Sequence, residues 1–133
     1  MNLMILFLNL TTKWDDLDYL LIDMPPGTGD AYLTIFNELD VDHFILVTTE
    51  NRLAISDLKK TITMLAKLDI NILGYIRNNI LNIQDEFDDT FFKSNNILHL
   101  GTFLFDKKIY NFDLEYNSDI SNEISMIIDS KIR

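Results

Sequence analysis

The chain has no cysteine, which excludes disulfides, thiolate metal sites and cysteine nucleophiles within its 133 residues. Chain breakers are almost as scarce, with 4 glycines and 2 prolines. Beside a 47% hydrophobic content, that scarcity excludes a disordered tail or linker and points to a packed core. Positive charge is short as well: 11 Lys and Arg stand against 21 Asp and Glu, for a formal net charge of -10. Nucleic acids are bound by clustered cations on a phosphate backbone, and this sequence never gathers such a cluster. The acidity mainly favours solubility. Long hydrophobic runs are missing too. The opening Met1-Asn2-Leu3-Met4-Ile5-Leu6-Phe7-Leu8-Asn9-Leu10 is apolar, but it has no basic n-region and no small-residue cleavage site. It also falls far short of the ~20 residues of a spanning helix. The expectation is one cytoplasmic domain over residues 1–133, with neither a nucleic acid nor a membrane as partner.

What is present is an alternation. Tyr19-Leu20-Leu21-Ile22 is a short continuous apolar run ending on Asp23, the pattern of a strand buried on both faces. Tyr32, Ile35, Phe36 and Leu39 then fall at helical spacing. His43 to Val47 reads as a second strand, and Leu53, Ala54, Leu58, Ile62 and Leu65 mark a longer helix. Ile70 to Ile76 and Leu98 to Phe105 are further apolar runs, separated by an Asn/Asp-rich stretch with a short helix around Phe87 to Phe92. Ile120, Ile124, Ile127, Ile128 and Ile132 predict a terminal amphipathic helix. Strands alternating with helices imply parallel pairing through right-handed crossovers. The fold class is therefore α/β: an open, mainly parallel sheet with helices on both faces.

Chemistry concentrates after the first run, in Asp23-Met24-Pro25-Pro26-Gly27-Thr28-Gly29-Asp30. A carboxylate at the C-terminal end of a central parallel strand lies on the ligand-binding edge of such a sheet. Asp23 is there the candidate to hold a hydrated Mg2+ through water, since that ion keeps most of its waters and needs only one or two carboxylates beside substrate phosphates. Pro25 and Pro26 stiffen the following turn, while Gly27 and Gly29 let backbone amides approach a phosphate oxygen or an attacking water. Asp30 suits the start of a helix. Taken alone, a Pro-Pro-Gly turn is ordinary in any α/β protein.

The full string Trp14-Asp15-Asp16-Leu17-Asp18-Tyr19-Leu20-Leu21-Ile22-Asp23-Met24-Pro25-Pro26-Gly27-Thr28-Gly29-Asp30 resembles the switch II region of the Mrp family, written W-x-x-L-D-Y-L-I-I-D-x-P-P-G-T-G-D. MinD-like and ParA-like branches of the same fold end this strand differently, so the distinction rests on Gly27-Thr28-Gly29-Asp30. Val47-Thr48-Thr49 with Ala54 and Asp57 resembles the family's V-T-T-P-Q-x-x-A-x-x-D. Leu73-Gly74-Tyr75-Ile76-Arg77-Asn78 resembles L-G-V-V-E-N, and Leu100 to Asp106 resembles L-G-x-I-P-L-D. The resemblance implies a P-loop NTPase-like domain that carries iron-sulfur clusters. It implies ATP with Mg2+ and a 4Fe-4S cluster as cofactors, and iron-sulfur client proteins as partners. By position, Asp23, Gly27 and Gly29 take catalytic and metal roles, and Thr28 and Asn78 contact the nucleotide, Asn78 at the adenine.

Several departures qualify this. No Gly-rich Lys-Ser/Thr loop occurs anywhere, so the amides and lysine that cradle phosphates are missing. The family's C-x-x-C falls between Asn78 and Leu98, where this sequence offers Asn, Gln and Asp; the chain has no iron-sulfur ligands by that route. Glu50 and Asn51 replace Pro-Gln, Arg77 replaces Glu, Asn79 replaces Met and Leu104 replaces Pro. The expectation is a partial domain truncated at its N-terminus, from the Walker B strand onward, with weak or no independent ATPase activity. It would work as a homodimer or with a separate N-terminal half. The alternatives are a non-catalytic dimerisation or binding module of that family, and a MinD- or ParA-like positioning ATPase fragment. The terminal helix mixes Asp119, Glu123 and Asp129 with Lys131 and Arg133, unlike a basic membrane-targeting helix.

Overall fold

The structure, a computed structural model, describes residues 16–24, 29–79, 87–111 and 119–132. Its elements are α1 (Asp30–Glu38), β1 (Phe44–Thr48), α2 (Arg52–Lys67), β2 (Ile72–Asn79), α3 (Thr90–Ser94), β3 (His99–Leu104), α4 (Lys107–Tyr110) and α5 (Asp119–Ile132). The three strands form a parallel sheet in the order β1-β2-β3. Parallel neighbours need a crossover, and α2 and α3 lie in the two connections.

Register decides which side chains share a face, because successive strand residues point to opposite sides. Leu46 pairs with Tyr75, and Tyr75 with His99. Leu46 and Tyr75 meet Ile62 and Leu65 of α2, Phe92 of α3, and Ile97 in the core. Phe92, Leu46 and Leu65 are fully enclosed, each such burial contributing about 1.5 to 3 kcal/mol. The Tyr75 and Phe92 rings stack at 4.0 Å between centroids. On the opposite face Gly101, paired with Ile76, lies under Ile127 of α5. Helices thus cover both faces of the open sheet.

The helix ends follow local chemistry. Asn51 caps α2, its Oδ1 accepting from the Leu53 amide at 2.8 Å. Asp69 and Asn96 take left-handed backbone angles just past α2 and α3, each with φ near 56°, and the amides of Ile70 and Ile97 close back onto Leu65 and Phe92. The helix expected around Phe87 to Phe92 starts later, at Thr90. Asp88 Oδ1 accepts from the Thr90 amide at 3.1 Å, a turn that competes with helix before that point. The short α4 was not anticipated from the pattern.

The first expected strand is a correction. Residues 19–24 carry no regular secondary structure, and Leu20, Leu21 and Ile22 are 49%, 70% and 41% exposed. A strand buried on both faces requires hydrogen-bonded neighbours and apolar layers on each side. Among the described residues β1 is an edge, and nothing from 16–24 joins its ladder.

Candidate functional site

The C-terminal edge of a parallel sheet is where ligands bind in this architecture. Here that edge is made by Thr48, Thr49 and Glu50 at the end of β1, by Arg77 and Asn78 at the end of β2, and by Leu104 to Asp106 after β3. Thr48 pairs with Arg77, and Arg77 with Thr102, so these three share the core-facing side.

One ion pair organises the edge. Arg77 Nε donates to Glu50 Oε1 at 2.9 Å, and the two side chains are only 15% and 16% exposed. The guanidinium also lies over the Phe87 ring, 4.9 Å from its centroid, a favourable cation-π placement. Among the described residues its Nη2 atom is buried without a hydrogen-bond acceptor. Such an orphaned donor costs free energy unless the ion pair and the ring contact offset it. Neighbouring turns are locally tied: Thr49 Oγ1 accepts from the Asn51 amide at 3.3 Å, and Asp106 Oδ1 accepts from the Lys108 amide at 2.8 Å.

Of the expected site residues, Asn78 is exposed at the end of β2, beside this pair. Asp23 is exposed on an irregular segment rather than at a strand end. Gly29 immediately precedes α1. Gly27 and Thr28, with Pro25 and Pro26, lie outside the described residues. The Arg77–Glu50 contact was not foreseen, although a signal existed. Both residues depart from the resembled motif, with opposite charge.

The donor set does not fit an iron-sulfur cluster. The chain has no cysteine, and no group of three or more His, Cys, Asp or Glu converges among the described residues. Thiolates are what such clusters ordinarily require.

A family model described as ParA, NUBPL iron-transfer P-loop NTPase, matches residues 1–100. The chain belongs to this family. Its curated relatives include the iron-sulfur cluster carrier protein of Rickettsia conorii, 49% identical over 67 residues, which covers 50% of this chain and 21% of the relative. That of Pseudomonas fragi is 46% identical over 72 residues, covering 54% and 25%. That of Escherichia coli strain K12 is 44% identical over 72 residues, covering 54% and 20%. The chain therefore spans about a fifth to a quarter of the length of these relatives. The family is the Mrp-type assignment expected from the Asp23 to Asp30 string.

Proposed function

We propose that this chain supplies the downstream part of an ATP-dependent iron-sulfur cluster carrier and acts together with the phosphate-binding half of such a domain. The observation that carries this is one of content. The family match spans the Asp23 to Asp30 string and Asn78, while the sequence has no Gly-rich Lys-Ser/Thr loop. In this reading Asp23 holds Mg2+ through water, Gly27 and Gly29 offer amides to the terminal phosphate, Thr28 contacts the nucleotide and Asn78 meets the adenine. The cluster itself is cargo that this chain cannot ligate with thiolates.

Alone, the chain binds ATP-Mg2+ at millimolar strength or not at all, and hydrolysis requires the other half. A base contact through Asn78 contributes about 0.5 to 1.5 kcal/mol net, whereas even millimolar binding needs about 4 kcal/mol. Iron-sulfur client proteins are the partners and the cytoplasm the compartment. No helix among the described residues is long and apolar enough to cross a membrane. Titration calorimetry of ATP-Mg2+ into the wild type and Asp23→Ala is the test. Micromolar binding by the lone chain, abolished by that substitution, would sink the reading.

A second reading, a non-catalytic binding module, is favoured by the Arg77–Glu50 pair, which turns two departures from the family pattern into a structural contact. An N-terminal half that restores ATP hydrolysis decides against it.

A further inference from the structure

Register leaves the end of β2 supported on one side. β1 stops at Thr48, opposite Arg77, whereas Asn78 and Asn79 run on beside Phe103 and Leu104 of β3. Among the described strands, Arg77 is therefore the last residue of β2 with a paired neighbour on each side, and Asn78 is the first of the overhang. A strand end held by a single ladder opens more readily than the interior of a sheet. The Arg77 side chain is fastened at this junction. Glu50, two residues past the end of β1, accepts from its Nε, and the Phe87 ring lies against the guanidinium. Phe87 is held in turn: its ring centroid is 6.1 Å from that of Tyr75 and 5.9 Å from that of Phe92, and both of those residues are buried. One guanidinium thus joins the segment after β1, the last doubly paired residue of β2 and the aromatic cluster of the core.

We propose that Arg77 is a positioning residue for nucleotide-base recognition: held between Glu50 and Phe87, it fixes the overhanging end of β2 and so presents Asn78 to the base. This rests on the reading of Asn78 as a base contact given above. Arg77 does not make that contact itself, because its Nη2 atom is buried and successive strand residues point to opposite sides of the sheet. What it fixes is the backbone from which the exposed Asn78 projects. A polar group that must be ordered on binding loses part of its interaction energy to that ordering, and a preorganised one keeps it. Lysine at position 77 would retain the charge, but it lacks both the planar fork that meets Glu50 and the flat face that covers Phe87.

The test titrates the isotope-labelled full chain with AMP, and with ribose 5-phosphate as the base-free control, at concentrations high enough for weak association to move NMR resonances. The Asn78 side-chain amide shifts with AMP and not with ribose 5-phosphate. Arg77→Lys lowers the initial slope of that shift by about threefold to tenfold, while the Tyr75 amide bonded to Leu98 O stays protected from hydrogen exchange. Phe87→Leu, which removes only the ring against the guanidinium, acts in the same direction and serves if Arg77→Lys does not fold. In an Asn78→Ala background, the AMP response of the Phe103 backbone amide no longer depends on Arg77→Lys. An AMP response undiminished in both variants, or a loss of equal size with and without Asn78, overturns the positioning role and leaves the base contact standing. An Asn78 amide that ignores AMP in the wild type overturns the base contact and the positioning role with it.

Discussion

Arg77 and Glu50 close the gap between β2 and the end of β1 with a hydrogen bond of 2.9 Å from Nε to Oε1. Each group is mostly withdrawn from water, so removing one partner strands the other in a medium that solvates charge poorly. Glu50→Ala and Arg77→Ala should each destabilise the fold, Glu50→Ala more sharply because the Nη2 donor of Arg77 already lacks a partner. The double variant should lose less than the two combined, with an interaction energy on the order of 2 kcal/mol. Urea unfolding of the four proteins gives this number. A sum of single effects that equals the double effect would show the pair to be energetically idle.

Two glycines on the sheet should respond differently to alanine. A Cβ on Gly74 meets Leu98 O at 2.5 Å and Leu100 Cγ at 2.7 Å. The first obstacle is the backbone of the next strand, which accepts the Tyr75 amide and cannot retreat without breaking that bond. Gly74→Ala should therefore cost about 1 to 3 kcal/mol. At Gly101 the nearest atom is the Ile127 Cδ1 methyl at 3.2 Å, the movable tip of a side chain on α5. Gly101→Ala should be the milder change, and thermal unfolding of the two variants ranks them.

The order of strands and helices from Asp30 onward was legible because burial there follows simple periods. Tyr32 and Ile35 on α1, and Ile62 and Leu65 on α2, are buried as their spacing demands. Tyr19 to Ile22 has the composition of an interior strand, but pattern registers what a segment prefers and not whether a neighbour exists to pair it. The Arg77–Glu50 pair escaped for another reason: its partners are 27 residues apart, and only the register Thr48 to Arg77 brings their strands into reach. Asn78, to which the resemblance gives an adenine contact, lies exposed near the end of β2.

Tyr75 ties stability to alkaline pH. Burial, and then the Asp89 carboxylate, hold its phenol above the ordinary value of 10.0. The folded value exceeds the unfolded one, so the contribution is whole below about pH 10 and is lost as pH rises through the folded value. Tyr32 is raised in the same direction by burial. Urea midpoints measured upward from neutral pH should fall on the alkaline side, and less steeply in Tyr75→Phe, with Tyr32 leaving a residual slope. An unchanged alkaline profile in Tyr75→Phe would place the sensitivity elsewhere.

Anaerobic reconstitution with iron and sulfide should leave the isolated chain without a stable cluster. Such clusters are held by thiolates, and this chain has none. Histidine can replace two thiolates in some centres, but here His43 precedes β1 and His99 opens β3, each with another partner. His43 Nδ1 lies 2.9 Å from Asn71 Nδ2, and His99 Nε2 lies 3.0 Å from Thr102 Oγ1. Carboxylates are numerous, yet among the described residues they do not converge with histidine in groups of three. Hard oxygen ligands also favour lone hard cations over sulfide-bridged iron. The Escherichia coli relative, carried through the same procedure, serves as the comparison. Stoichiometric iron and sulfide retained by the chain after gel filtration, with a visible charge-transfer band, would show that ligands come from residues outside those described. The expected result is iron eluting apart from the protein.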